Sequence, residues 1–132
     1  DMEAYLQHLV TTALSYRDFA EQPTTVAEEI KQYIHSHYGE DLTRLSLAEV
    51  FYLHPDYLAR IFKKETGVSL GTYVIGARIA AAKQLLRTTT MSVFAVAKKV
   101  GYANYSYFAK VFKQETGMSP NEYKQGGREG SI

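Results

Sequence analysis

The sequence contains no cysteine. That excludes a disulfide scaffold, a Cys-ligated zinc finger and a thiol nucleophile. Proline is scarce, only Pro23, Pro55 and Pro120 in 132 residues, so little interrupts long helices. No apolar run approaches the ~18 residues that a membrane span requires. No basic stretch leads into an apolar one at the start, as a secretory leader would. There is no Gly-rich phosphate loop, no Gly-x-Ser-x-Gly elbow and no metal-spaced cluster. Strand-like alternation is missing as well. What remains is a globular balance, 45% hydrophobic and 22% charged. The chain opens Asp1-Met2, which suggests a piece of something longer.

The net charge of +1 conceals a division. Residues 1–53 carry nine acidic and three basic side chains, and residues 54–132 carry five acidic and twelve basic. A basic half beside an acidic flank points to a polyanionic partner on one side.

The strongest internal signal is a repeat. YLARIFKKETGVSLGTYV at 57–74 and YFAKVFKQETGMSPNEYK at 107–124 share nine of eighteen positions at an offset of fifty. Each copy reads as a helix, with Leu58, Ile61 and Phe62 or Phe108, Val111 and Phe112 on one side. Gly67 and Gly117 fit left-handed stops. Ser69 and Ser119 fit N-caps of the next helix, with Pro120 in a first helical position. A shorter helix precedes each copy. The first is expected to open on the capping box Ser46-x-x-Glu49 and run to Leu53; the second is expected from Ser92 to Gly101. Ala48 and Ala97 allow close helix approach. Each unit therefore reads as a helix-turn-helix. Tyr52 stands in the first turn where the second has Gly101.

The remaining segments complete an all-α expectation of about eight helices. Thr25-x-x-Glu28 opens a helix through Tyr38 that Gly39 stops, and one helix from Ser69 to about Arg87 joins the units. An amphipathic segment at 3–20 gives an extra N-terminal helix. The expected organisation is 1–24 linker or signalling helix, 25–68 first helix-turn-helix subdomain, 69–88 linker helix, 89–125 second helix-turn-helix subdomain, and 126–132 disordered tail.

Projected at 100° per residue, Asp56, Arg60 and Lys63 oppose the apolar side of the first repeat helix, with Ala59 at the edge. Ser106, Lys110 and Lys113 do the same in the second, flanked by Ala109, with Asn104 and Tyr105 at its start. Arg60 suits guanine O6 and N7, Lys110 guanine or phosphate, Asn104 adenine, and the alanine methyls a thymine methyl. One such face is ordinary solvated surface; two matched faces at matched positions are not explained by solvation. His35 and His37 point apart at i,i+2 with no third ligand near, and read as exposed histidines. His54 reads as a cap beside Pro55. The Glu-Thr-Gly triplets at 65–67 and 115–117 read as helix stops. Tyr57, Tyr73, Tyr107 and Tyr123 recur with the repeat and read as packing residues.

The stretches R-I-x-x-A-K-x-L-L (78–86), V-G-Y-x-N-x-S-Y-F (100–108) and F-K-x-E-T-G-x-S-P-x-x-Y (112–123) together resemble the DNA-binding domain of AraC/XylS-type bacterial transcription regulators. The resemblance covers roughly residues 26–124 and is most like the output domain of YesN-type two-component response regulators. It implies sequence-specific binding of double-stranded DNA in the cytoplasm, without catalysis, metal or cofactor. Two recognition helices would enter successive major-groove segments. By position, base reading falls to Asp56, Ala59 and Arg60, and to Tyr105, Ser106, Ala109 and Lys110; Lys63, Lys64 and Lys113 would serve phosphates. A receiver or sensor domain upstream and RNA polymerase are the further partners implied, with no membrane. Ala95 stands where the family often has Glu, and Lys110 where it often has Arg. A DNA-repair fusion of this domain type needs a nucleophilic cysteine, which is absent. The alternatives are the DNA-binding domain of a small-molecule-sensing AraC-type regulator, and a module whose basic faces bind an acidic protein.

Overall fold

The computed structural model describes residues 25–130, with side chains through Gly126. The segment expected as an N-terminal helix lies outside the described residues. Within them are seven helices and no strand: α1 (Val26–Ser36), α2 (Arg44–Phe51), α3 (Pro55–Thr66), α4 (Leu70–Thr88), α5 (Val93–Lys99), α6 (Tyr105–Thr116) and α7 (Pro120–Gly130).

Local chemistry sets most of the boundaries. Thr25, Ser69 and Ser92 each accept a backbone N–H three residues on, at 3.1–3.2 Å, which satisfies one of the orphan donors of a first turn. Ser119 does the same for Glu122 at 3.1 Å ahead of Pro120. Gly67 (φ 82°) and Gly117 (φ 84°) end α3 and α6 in the left-handed region, where a Cβ is costly. The preceding threonines lock these stops. Thr66 donates to the Phe62 carbonyl at 2.7 Å and accepts the Val68 N–H at 3.2 Å. Thr116 repeats this with Phe112 at 2.8 Å and Met118 at 3.1 Å.

Several expected boundaries are corrected. Helix α2 begins one turn early: the capping box pairs Thr43 with Ser46, not Ser46 with Glu49. Helix α1 ends at Ser36, before Tyr38. Gly39 has no positive φ and is not the stop; its role is steric, because a Cβ there would collide with the Lys99 carbonyl oxygen. Helix α7 continues to Gly130, past the expected boundary at 125. The adjacent glycines 126 and 127 weaken the local helix signal by about 1 kcal/mol each relative to alanine.

The described residues form two cores. Ile30, Ile34, Leu47, Leu58 and Phe62 are buried in the first, and Val96, Val100, Phe108 and Phe112 in the second, all at 0% exposure. Helix α4 belongs to both. Leu70, Val74 and Ala77 enter the first core; Ile79, Ala82 and Leu86 enter the second. At 100° per residue these two sets centre about 150° apart around the axis. The helix that joins the units therefore carries two apolar stripes on nearly opposite faces, one for each unit. Aromatic pairing repeats as well: Phe62 meets Tyr73 edge-on at 5.4 Å, and Phe112 meets Tyr123 at 5.5 Å. Tyr57 and Tyr107 do not pack in this way. They are 43% and 55% exposed.

Candidate nucleic-acid interface

Helices α2 and α3, and α5 and α6, form the two helix-turn-helix units. The turns share one hydrogen bond. Leu53 N–H donates to the Ala48 carbonyl at 3.1 Å, and Tyr102 N–H donates to the Ala97 carbonyl at 2.9 Å. In the second unit Gly101 supplies the positive φ of 105°; in the first Tyr52 does so at 56°. The geometry survives the substitution because Tyr52 takes the ordinary left-handed basin (ψ 42°), at a cost of about 1 kcal/mol.

In α3, His54 is the N-cap and its Nδ1 accepts the Asp56 N–H at 3.2 Å. Pro55 occupies the first turn, and the carboxylate of Asp56 sits at the positive end of the helix. Leu58 and Phe62 anchor the inner side. Asp56, Arg60, Lys63 and Lys64 are exposed on the other, and Ala59 is half-buried. These five residues line one shallow depression together with Arg44. Sequence reasoning missed Arg44. It lies on α2, and its Nη1 approaches Asp56 Oδ1 at 3.1 Å, both side chains more than half exposed. Such a pair contributes about 0–1 kcal/mol; its larger effect is to add a guanidinium beside the basic face and to hold Asp56. The Arg60 guanidinium lies 5.8 Å from the ring centroid of Tyr57, so the exposed tyrosine flanks the arginine.

The second unit matches in outline. Ser106, Lys110 and Lys113 on α6 are exposed and Ala109 is half-buried. Phe108, Val111 and Phe112 are buried beneath them. Two expected base readers have structural roles. Asn104 is the N-cap, its Oδ1 accepting the Tyr107 N–H at 2.9 Å; this holds the amide against the helix end, whereas bidentate adenine pairing needs both its atoms turned outward. Tyr105 is half-buried, 4.4 Å from the Phe94 ring and 6.1 Å from that of Phe108. Lys98 and Lys99, at the end of α5, are exposed and extend the basic surface of this unit.

His35 and His37 each have a partner of their own. His35 Nε2 and the Tyr73 hydroxyl share a 2.6 Å hydrogen bond. His37 stacks on Tyr33 at 3.9 Å while its Nδ1 donates to the Tyr33 carbonyl. His35 is exposed, as expected, and His37 is half-buried. Tyr102 is buried among Tyr107, Phe108 and Arg78. Burial pushes its phenol above the ordinary tyrosine value, and the nearby Arg78 charge opposes the shift.

Two helix-turn-helix units with basic outer faces, joined by one helix, define the class. A family model described as a helix-turn-helix domain matches residues 47–126. The chain belongs to this family, the AraC/XylS type of DNA-binding transcription regulator. Its fold is similar to the C-terminal domain of AraT, a response regulator from Geobacillus stearothermophilus. That similarity has a TM-score of 0.75 and 34% identity over 80% of this chain and 88% of that one. It is also similar to the C-terminal domain of the two-component response regulator yesN from Fusobacterium nucleatum, with a TM-score of 0.69 and 32% identity over 74% and 95%. Among curated relatives, the HTH-type transcriptional regulator YobQ of Bacillus subtilis is 39% identical over 72 residues, 54% of this chain. The chain spans about 30% of the length of YobQ. Among the described residues, no helix is long and apolar enough to cross a membrane.

Proposed function

We propose that this chain is the sequence-specific, double-stranded-DNA-binding output domain of a two-component response regulator. In this reading α3 and α6 are its recognition helices. The observation that carries the proposal is the matched pair of outer faces. Ala59, Arg60 and Lys63 on α3 are set at the same helical positions as Ala109, Lys110 and Lys113 on α6, each over a buried aromatic base. A helix carrying short and basic side chains fits the ~12 Å major groove, where arginine pairs with guanine and a methyl meets thymine. Helix α4 has 19 residues and is about 28 Å long at 1.5 Å rise. Major-groove segments on one face recur every ~34 Å, so the units on either side of α4 are suitably placed for two of them.

Roles divide by position. Arg60 and Lys110 are the central base readers, supported by Ala59, Ala109 and Ser106. Lys63, Lys64 and Lys113 neutralise phosphates. Asp56, paired with Arg44 and exposed, has a carboxylate that can accept from cytosine N4. Tyr105 and Asn104 shape the start of α6. The units are similar but not identical, so one chain reads an asymmetric site. Similarity to two response-regulator C-terminal domains supports an upstream receiver as the source of the signal, with RNA polymerase as the downstream partner.

The test is selection of a bound duplex from a random library, followed by gel shift against scrambled competitor. The expected result is discrimination of at least 10³-fold at fixed salt. Equal affinity for selected and scrambled duplexes would refute base reading.

A further inference from the structure

We infer that Arg78 is a positioning residue that locks the two helix-turn-helix units at a fixed angle, and so sets the spacing of a bipartite DNA site. The inference rests on the two-groove reading above, but its first test does not.

Arg78 lies between the two stripes of α4. Relative to Leu70, the first-core stripe centres near 7° and the second-core stripe near 153°, and Arg78 falls at about 80°, midway between them. From there its side chain reaches both units. Its Nε donates to the Tyr38 carbonyl at 2.9 Å and its Nη2 to the Glu40 carbonyl at 2.8 Å, both in the loop between α1 and α2. Its guanidinium also lies 5.5 Å from the ring centroid of Tyr102, in the α5–α6 turn. Two glycines make room for this seam. A Cβ on Gly101 would lie 2.9 Å from the Arg78 Cζ, and one on Gly39 would strike the Lys99 carbonyl oxygen. Tyr38, although on the first unit's loop, packs against the second core.

The chemistry explains why an arginine serves here. The guanidinium is a planar fork that can donate to two carbonyls while presenting a face to an aromatic ring. A lysine would supply one flexible point charge. Helix α4 sets the separation of the units along its axis, and its two stripes set their mean angle around it; the seam narrows the range about that angle. Groove phase depends on that angle, because adjacent base pairs rotate about the DNA axis.

The experiment uses the full 132-residue chain. With no native cysteine, Glu65→Cys and Gln114→Cys, both exposed positions near the ends of α3 and α6, take spin labels cleanly. Pulsed-dipolar distances are compared between the wild-type background, Arg78→Ala and Arg78→Lys. Arg78→Ala is expected to broaden the distance distribution at least twofold without DNA, and Arg78→Lys to fall between. An unchanged width in Arg78→Ala would overturn the inference. If Arg78→Ala loses its cooperative melt, the width in Arg78→Lys decides in the same way.

The second readout is affinity for a duplex selected by the wild type, for its versions with one or two base pairs inserted between the halves, and for duplexes with one half scrambled. Arg78→Ala should lose about tenfold on the intact duplex, stay within twofold on the half-scrambled duplexes, and show a flatter spacing profile. An equal loss on all duplexes, or a wild-type spacing profile, would count against the lock. Failure of the wild type itself to use both halves would instead overturn the two-groove reading, leaving the spin-label widths to judge the lock.

Discussion

Replacing Arg60 by alanine removes one guanidinium from the centre of the α3 outer face. Arg60 is exposed and sits over Tyr57, so its loss should change folding stability by no more than about 0.5 kcal/mol. Binding should change far more. A bidentate arginine–guanine contact is worth about 1–3 kcal/mol, roughly 5- to 150-fold in affinity. Arg60→Lys should recover little, because an ammonium cannot make both bonds in the plane of the base. Lys64→Ala is the control: it should weaken selected and scrambled duplexes alike and lower the salt slope by ~0.9. The assay is fluorescence anisotropy on both duplexes across a salt series, with melts of each variant. If Arg60→Ala weakens both duplexes by one factor, or lowers only the salt slope, Arg60 is a phosphate contact and the base-reading argument fails.

Three further outcomes are expected. Tyr52→Gly should raise stability by about 0.5–1 kcal/mol, since the residue holds a left-handed conformation that the second unit gives to glycine; a loss in denaturant melts would show that the tyrosine side chain outweighs the strain. Burial raises the phenol of Tyr102 above its unfolded value near 10. Its contribution is therefore complete below about pH 10 and falls away as pH rises through the folded value; urea melts from pH 8 to 11 should show this decline reduced in Tyr102→Phe, and an identical pH profile would refute it. Deleting residues 1–22 should lower specific DNA affinity less than tenfold at fixed salt, the outcome that the proposed linker or signalling role requires; a larger drop would place part of the interface there.

The units were legible in the sequence because their chemistry is local and used twice. Thr66-Gly67 and Thr116-Gly117 spell the same helix stop, and the serine caps at 69 and 119 sit a fixed step beyond. Basic residues spaced against apolar ones revealed the outer faces of α3 and α6 for the same reason. What stayed hidden depends on distant partners. Nothing near Gly39 in the sequence announces Lys99, and nothing near Arg44 announces Asp56. Asn104 and Tyr105 lie at the start of the basic helix, but a cap and an aromatic neighbour claim them. The start of α2 is ambiguous in the sequence because Ser46 can serve either as a cap or as the third residue of a box opened by Thr43. In helix α4 the two-residue step from Ala77 to Ile79 marks the change of face, but only the packing of two separate cores gives it meaning.

The central claim is that one chain engages two groove segments at once. Hydroxyl-radical footprinting of this chain on its selected duplex tests it most directly. The account predicts two protected segments on one face, about one helical turn apart, on an asymmetric sequence, each lost separately when its half is scrambled. Protection of a single segment, or a strict requirement for inverted half-sites, would contradict it.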